Sequence, residues 1–143
     1  MSKPAPVAVL DFGTNTSRLL ITDGKSLDVR THRVTGLGRG LSASGRLSKE
    51  GIGRVLEAIE EFNLLIRQYE VTTIRAVTTS AARDAKNRDD FIDAVSKSLN
   101  HPLELLPGEE EARYGFLGAT ADLDRTDAPF LVVDIGGGST EFS

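Results

Sequence analysis

The chain has 143 residues, 39% of them hydrophobic and 27% charged, with a formal net charge of −4. That composition suits one globular domain, or one domain and the beginning of another. There is no Cys, and the two His, His32 and His101, are far apart, which excludes disulfides, thiolate catalysis and Cys- or His-rich metal cages. The negative balance disfavours non-specific nucleic-acid binding. No apolar run reaches the roughly 20 residues of a membrane span, and residues 1–9 lack the long apolar region of a secretory signal. The absence of Cys fits a cytoplasmic location.

In chain order, residues 7–10 are a short apolar run stopped by Asp11 and Gly13, which predicts a buried strand. Residues 19–22 resume the apolar character, and Asp23-Gly24 marks a turn. With the polar turn 11–16 between them, these two strands predict a hairpin, and residues 27–34 add a third strand. The Gly- and Ser-rich stretch 36–45 is expected to be a loop. Ser48 reads as an N-cap without a capping box, because Gly51 stands three residues on. From there Ile52, Val55, Leu56, Ile59, Phe62, Ile66 and Tyr69 recur at helical spacing.

Residues 71–77 predict a β-branched strand and 78–83 a loop. A second helix is expected over 88–99, with Phe91, Ile92, Val95 and Leu99 on one face. A short strand, 103–106, ends at Pro107-Gly108. The helix expected over 109–121 has an acidic first turn that suits the positive helix N-terminus. Residues 122–129 read as a linker, and 130–133 as a second buried strand followed by Asp134 and Ile135-Gly136-Gly137-Gly138-Ser139-Thr140. Strand-forming character runs on to Ser143, which predicts that more of a second lobe follows.

The most informative feature is an echo: strand, Asp, Gly and polar turn occur at 8–16 and again at 131–140. Gly with Ser, Thr or Asn in a turn can aim successive N–H groups at one anion. Gly13, Thr14, Asn15 and Thr16 in the first turn, and Gly136, Gly137, Gly138 and Ser139 in the second, are therefore candidate phosphate contacts. Asp11 and Asp134, each expected at a strand end, are placed to hold a divalent cation. Two opposed turns of this kind would clasp a polyphosphate.

Glu111 begins the helix that also carries Gly115 and Gly118, four and seven residues on and so on its face. Two glycines in a helix cost stability, and small residues there suggest close approach of a backbone or ligand. A carboxylate on that face could take a proton from water. Arg83, beyond the strand that ends near Val77, could pair with phosphate. Three other motifs are set aside. Asp11-Phe12-Gly13 has no kinase catalytic loop before it, Gly36-Leu37-Gly38-Arg39-Gly40 is an incomplete dinucleotide fingerprint, and there is no Gly-Lys-Ser/Thr of a P-loop.

Taken together, the chain resembles the exopolyphosphatase/guanosine pentaphosphate phosphohydrolase family. The match is carried by Asp11-Phe12-Gly13-Thr14-Asn15-Thr16, Thr79-Ser80-Ala81-Ala82-Arg83-Asp84, Glu110-Glu111-Ala112-Arg113 and Asp134-Ile135-Gly136-Gly137-Gly138-Ser139-Thr140-Glu141. More distantly it is similar to the actin, sugar-kinase and heat-shock-chaperone superfamily. The resemblance implies an α/β, ribonuclease H-like domain with a mixed sheet and flanking helices. It implies a first lobe over 1–121, with 122–143 a linker and the opening strand and phosphate loop of a second. By the same resemblance Glu111 is the general base, Asp134 and Glu141 support Mg2+, and Asn15, Arg83 and the glycine loop hold phosphate. The implied substrate is polyphosphate or a phosphorylated guanine nucleotide, and the implied assembly a homodimer. An ATP-binding kinase or chaperone lobe, and a non-catalytic polyphosphate or alarmone sensor, are the alternatives. The residues present are expected to bind phosphate polymers weakly without hydrolysing them.

Overall fold

The computed structural model describes residues 4–143, so the first three residues of the expected first lobe lie outside the described residues. The strand β1 (Val7–Phe12) turns Ala8, Leu10 and Phe12 to one side, where all three are buried, and Val9 and Asp11 to the other. That alternation is the two-residue period of a strand between a core and a more open face. β1 pairs antiparallel with β2 (Thr16–Thr22), which pairs antiparallel with β3 (Asp28–Val34). Between β2 and β3, Asp23 Oδ1 accepts the N–H groups of Leu27, Lys25 and Ser26, which pull its carboxyl well below the usual range.

The expected loop 36–45 contains one short helix, α1 (Leu41–Ser44). The helix α2 (Lys49–Gln68) begins where Ser48 Oγ accepts the Gly51 N–H at 3.0 Å. Its buried residues Val55, Ala58, Ile59, Phe62 and Ile66 follow the helical period and face the sheet. β4 (Thr73–Thr78) pairs parallel with β1. The stretch expected as a loop after it is instead α3 (Ser80–Asp84), because Ser80, Ala81 and Ala82 are small enough to be buried against their neighbours. The helix α4 (Arg88–Leu99) buries Phe91, Val95 and Leu99 beside α2, and β5 (Leu103–Leu105) pairs parallel with β4. α5 (Gly108–Thr120) follows.

The sheet order is β3-β2-β1-β4-β5, antiparallel on one side of β1 and parallel on the other. This is the mixed sheet with flanking helices expected of a ribonuclease H-like domain. α2 and α4 cover the face that carries Leu10, Phe12, Leu19 and Ile21. Each large apolar side chain buried there contributes about 1.5–3 kcal/mol. No described helix is long and apolar enough to cross a membrane.

The C-terminal strand differs from expectation. Residues 130–133 are not a buried strand. β6 is Val133–Ile135 and pairs antiparallel with β7 (Thr140–Phe142) as a separate two-stranded sheet. Leu131 is 73% exposed and Ile135 79%. Phe130 and Val132 are half-buried while Leu131 and Val133 are exposed, so the turn between the strands sets the register more than burial does.

The capping hydroxyl of Ser48 generates a direct test. Ser48→Ala should lower stability by about 1 kcal/mol, the usual cost of a lost N-cap, read by urea unfolding. An unchanged midpoint would show that the cap contributes nothing.

Candidate active site

The first polar turn is fixed from three sides. Gly13 N–H donates to Thr16 O at 3.0 Å and closes the turn. The next loop then holds its carbonyls: Gly38 N–H donates to Thr14 O at 2.8 Å, and Thr35 and Gly36 N–H donate to Asn15 O at 3.0 and 2.9 Å. A Cβ on Gly38 would stand 2.4 Å from Thr14 Cγ2, so this close approach needs glycine. The Gly-rich run that looked like a partial dinucleotide fingerprint is therefore a backbone clamp. With the Thr14 carbonyl held, the planar peptide turns the Asn15 N–H to the opposite side. Neither Thr14 N–H nor Asn15 N–H has a backbone acceptor among the described residues. On the third side, Thr78 Oγ1 donates to Phe12 O at 2.8 Å, which joins the ends of β4 and β1. That junction brings Ser80 Oγ to 2.9 Å from Thr14 Oγ1.

The second turn repeats the closing bond and the register of the first. Gly136 N–H donates to Ser139 O at 2.9 Å. The last strand pair, Ile135 opposite Thr140, matches Phe12 opposite Ser17. One pair further out, Asp134 stands opposite Glu141 where Asp11 stands opposite Arg18. The echo in the sequence is thus one hairpin built twice, with the cross-strand partner of the Asp changed from a cation to an anion. The two turns meet: a Cβ on Gly138 would lie 2.7 Å from Thr14 Oγ1 and 2.8 Å from Ser80 Oγ.

Charge in the site follows from this contact. Burial pushes the Asp11 carboxyl up from its usual value. The Arg18 guanidinium, 3.3 Å away, works against that shift, and the negative charge of Asp134 adds to it. The Asp residues of the two turns therefore repel one another, as two carboxylates that share a cation site do. Among the described residues, Asp11, Asp134 and Glu141 join no group of three acids or His able to hold a metal on protein ligands alone.

Glu111 enters from α5, its N–H donating to Pro107 O in the first turn of the helix. Its Oε2 accepts from Arg83 Nη1 at 2.9 Å, and the same nitrogen donates to Leu106 O at 2.7 Å. Gly115, one turn on, has the Asp134 carboxylate as its nearest neighbour, 3.8 Å from where a Cβ would be. That is ordinary van der Waals contact with a side chain, so the close approach of a backbone expected at Gly115 is absent. A Cβ on Gly118 would meet nothing within 4 Å.

Both turns and Glu111 line one cleft of about 920 Å³ on the sheet face opposite α2 and α4. Of the candidate residues, all but Gly138 and Arg83 line it. Gly138 is pressed on the Thr14–Ser80 pair, and Arg83 lies behind Glu111 instead of facing the cleft. The cleft also contains residues that sequence reasoning passed over: Arg39, Arg75, Tyr114 and Ser80. Arg75 pairs with Glu104 at 3.0 Å, and its guanidinium lies 5.0 Å from the Tyr114 ring centre. A charged residue inside the β-branched run 71–77 was the available sign of it. The sign of Arg39 was its place between the glycines of the clamp.

Two outcomes follow from this geometry. Asp11 has a folded-state pKa above its ordinary 3.8, so the native state binds its proton more tightly than the unfolded chain does. The charge therefore costs no stability below 3.8, costs more as pH rises through the interval just above it, and opposes folding fully at neutral pH. Asp11→Asn, which keeps an oxygen for Arg18, should raise the Tm at pH 7 and flatten the acid side of the stability profile. A lower Tm would show that the Arg18 pair outweighs burial. Gly138→Ala should move the amide NMR signals of Thr14 and Ser80 while leaving those of α2 and α4 in place. Silence at Thr14 and Ser80 would show that the turns do not touch in solution.

Comparison with known proteins gives a consistent result. Exopolyphosphatase 2 of Mycobacterium tuberculosis is 42% identical over 148 aligned positions, covering 94% of this chain and 46% of the relative. The crystal structure of an exopolyphosphatase from Cytophaga hutchinsonii superposes with a TM-score of 0.88 at 34% identity, over 96% of this chain and 45% of that one. The ethanolamine utilization protein EutJ of Carboxydothermus hydrogenoformans, with 16% identity and a TM-score of 0.58 over 97% of this chain and 47% of its own, shares the fold alone. The chain thus spans about half the length of the curated relatives it matches. The model of the Ppx/GppA phosphatase family matches residues 21–143, which include the clamp, Glu111 and the whole second turn, and the chain belongs to that family.

Proposed function

We propose that the protein releases terminal phosphate from a chain of anhydride-linked phosphates, inorganic polyphosphate above all, with guanosine pentaphosphate as the other candidate substrate. The observation that carries this reading is the convergence of two matching turns and one carboxylate on a single cleft. The free N–H groups and hydroxyls of the turns suit phosphate oxygens, as oriented backbone amides do in anion-binding nests. The exopolyphosphatase relatives support the substrate class. We place the boundary between two lobes near residue 121, because α5 ends at Thr120 and the β6–β7 hairpin forms its own sheet. A homodimeric, cytoplasmic protein is part of the same proposal, on the family resemblance.

In this reading the two turns hold the terminal phosphoryl group and its neighbour, and Glu111 faces a water in line with the anhydride bond. The water oxygen forms the new bond to phosphorus and gives a proton to Glu111. The bond from phosphorus to the bridging oxygen breaks, and its electron pair leaves on the shortened chain. Inorganic phosphate is the second product. Catalysis of this kind is mostly positioning plus electrostatic stabilisation. The site also fits Mg2+, since Asp11 and Asp134 repel one another and Glu141 stands across the strand from Asp134. Mg2+ needs only one or two carboxylates, with phosphate and water completing its shell. When bound it would neutralise phosphate charge.

Replacing the base tests the reading. Glu111→Gln in the full-length protein should leave polyphosphate binding and folding intact and lower turnover about a hundredfold or more, the scale of a lost acid–base group. Phosphate release, assayed on polyphosphate and guanosine pentaphosphate in parallel, reads both the effect and the preferred substrate. Wild-type turnover in the variant would remove Glu111 from the mechanism.

A further inference from the structure

Arg83 has a place in the fold that its expected role as a phosphate ligand does not explain. It sits in α3 beside the buried Ala81 and Ala82, behind the wall of the cleft. One of its nitrogens, Nη1, carries two hydrogens and spends both, on Leu106 O at 2.7 Å and on Glu111 Oε2 at 2.9 Å. Leu106 is a firm anchor, being 6% exposed, with its own N–H bonded to Thr78 O at 3.0 Å. The guanidinium is thus held from behind as well as by Glu111. The two side chains are only 24% and 20% exposed, so the pair is sheltered from solvent screening. Glu111 lines the cleft and Arg83 does not. Oε1 of Glu111 has no hydrogen-bond partner among the described residues.

We propose that Arg83 is a positioning residue for Glu111. It ties down Oε2 so that Oε1 faces the water beside the bound polyanion. The proposal rests on the assignment of Glu111 as the base. Two physical needs are met by the one contact. A glutamate with rotatable bonds loses time in unproductive rotamers unless something fixes it, and each fixed torsion costs entropy that a preformed bond supplies in advance. A bare carboxylate beside a chain of phosphates is also pushed away from them, and a guanidinium on its far side offsets that repulsion. Arginine suits the task better than lysine, because a planar group can hold a backbone carbonyl and a carboxylate in a fixed relation. The contact also links the end of β4, through α3, to the first turn of α5, so the base is referenced to the same carboxyl end of the sheet as the first turn.

The test separates positioning from phosphate binding. Arg83→Met, Arg83→Lys, Glu111→Gln and the double variant Arg83→Met/Glu111→Gln are made in the full-length protein, with thermal melting to confirm folding. Binding of inorganic polyphosphate is measured by calorimetry on Glu111→Gln and on the double variant, where turnover is suppressed. The expected result is an affinity within about twofold between these two, a kcat lowered tenfold or more by Arg83→Met with KM little changed, and partial recovery with Arg83→Lys. The double variant should turn over no more slowly than Glu111→Gln alone, because a positioning residue has nothing left to position. A tenfold loss of affinity in the double variant, or losses of turnover that multiply, would overturn the proposal and return Arg83 to the phosphate. If Arg83→Met fails to fold, Arg83→Lys decides: full turnover loss with weakened binding overturns the positioning role, and intermediate kcat with unchanged KM supports it. Should Glu111→Gln itself retain wild-type turnover, the base assignment falls and this role with it. A slow Glu111→Gln with multiplying losses sinks Arg83 alone.

Discussion

The carboxyl end of β1 is where packing and chemistry meet in this chain. β1 is bonded on both sides, antiparallel to β2 and parallel to β4, and Phe12 at its end is fully buried. The Phe12 carbonyl takes the Thr78 hydroxyl, so the neighbouring strand ends in register with it. Ser80 then falls beside Thr14, and Arg83, three residues on, falls beside Glu111. Were β4 to slip along β1 by one residue, every side chain beyond it would change face, and the Thr78–Phe12, Ser80–Thr14 and Arg83–Glu111 contacts would be lost together. An open α/β sheet offers its crevice beyond the strand ends for this reason.

On that frame the hairpin is used twice, and the copies differ in charge. In the first, Arg18 opposes Asp11 across the strands; in the second, Glu141 opposes Asp134. The exposed Arg18 pair is worth at most about 1 kcal/mol, so its chief effect is local neutralisation. The first turn therefore carries little net charge, while the second carries two carboxylates. The contact at Gly138 brings these two differently charged turns together.

The functional face is also the lightly packed one. The core lies between the sheet and α2 and α4. α5, which carries Glu111, has no buried residue, and the β6–β7 hairpin is exposed along its apolar side. Segments with few buried apolar contacts open locally at lower cost than the core does. Rigidity at Glu111 must therefore come from specific bonds, which is what the Arg83–Leu106–Glu111 contact supplies.

Much of this was legible in the residues alone. The 3.6-residue period of α2, the strands at β1 and β2, the Ser48 cap and the repeated Asp–Gly turn depend on neighbours close in sequence, and each formed as expected, though β1 is buried on one face only. The echo between residues 8–16 and 131–140 pointed to a paired turn because a turn's closure is a local matter. What only the tertiary structure decided is which groups meet across long separations. Gly38 clamps Thr14, and Gly138 rests on Ser80, because strand order brings distant loops together. The run 130–133 was read as buried because burial was inferred from composition, yet an apolar run is buried only where a face covers it, and here Leu131 and Val133 stay exposed. Arg83 is the sharpest case. Its charge suggested an anion, and both a phosphate and a carboxylate satisfy that chemistry; the fold sets it 2.9 Å from Glu111, 28 residues away.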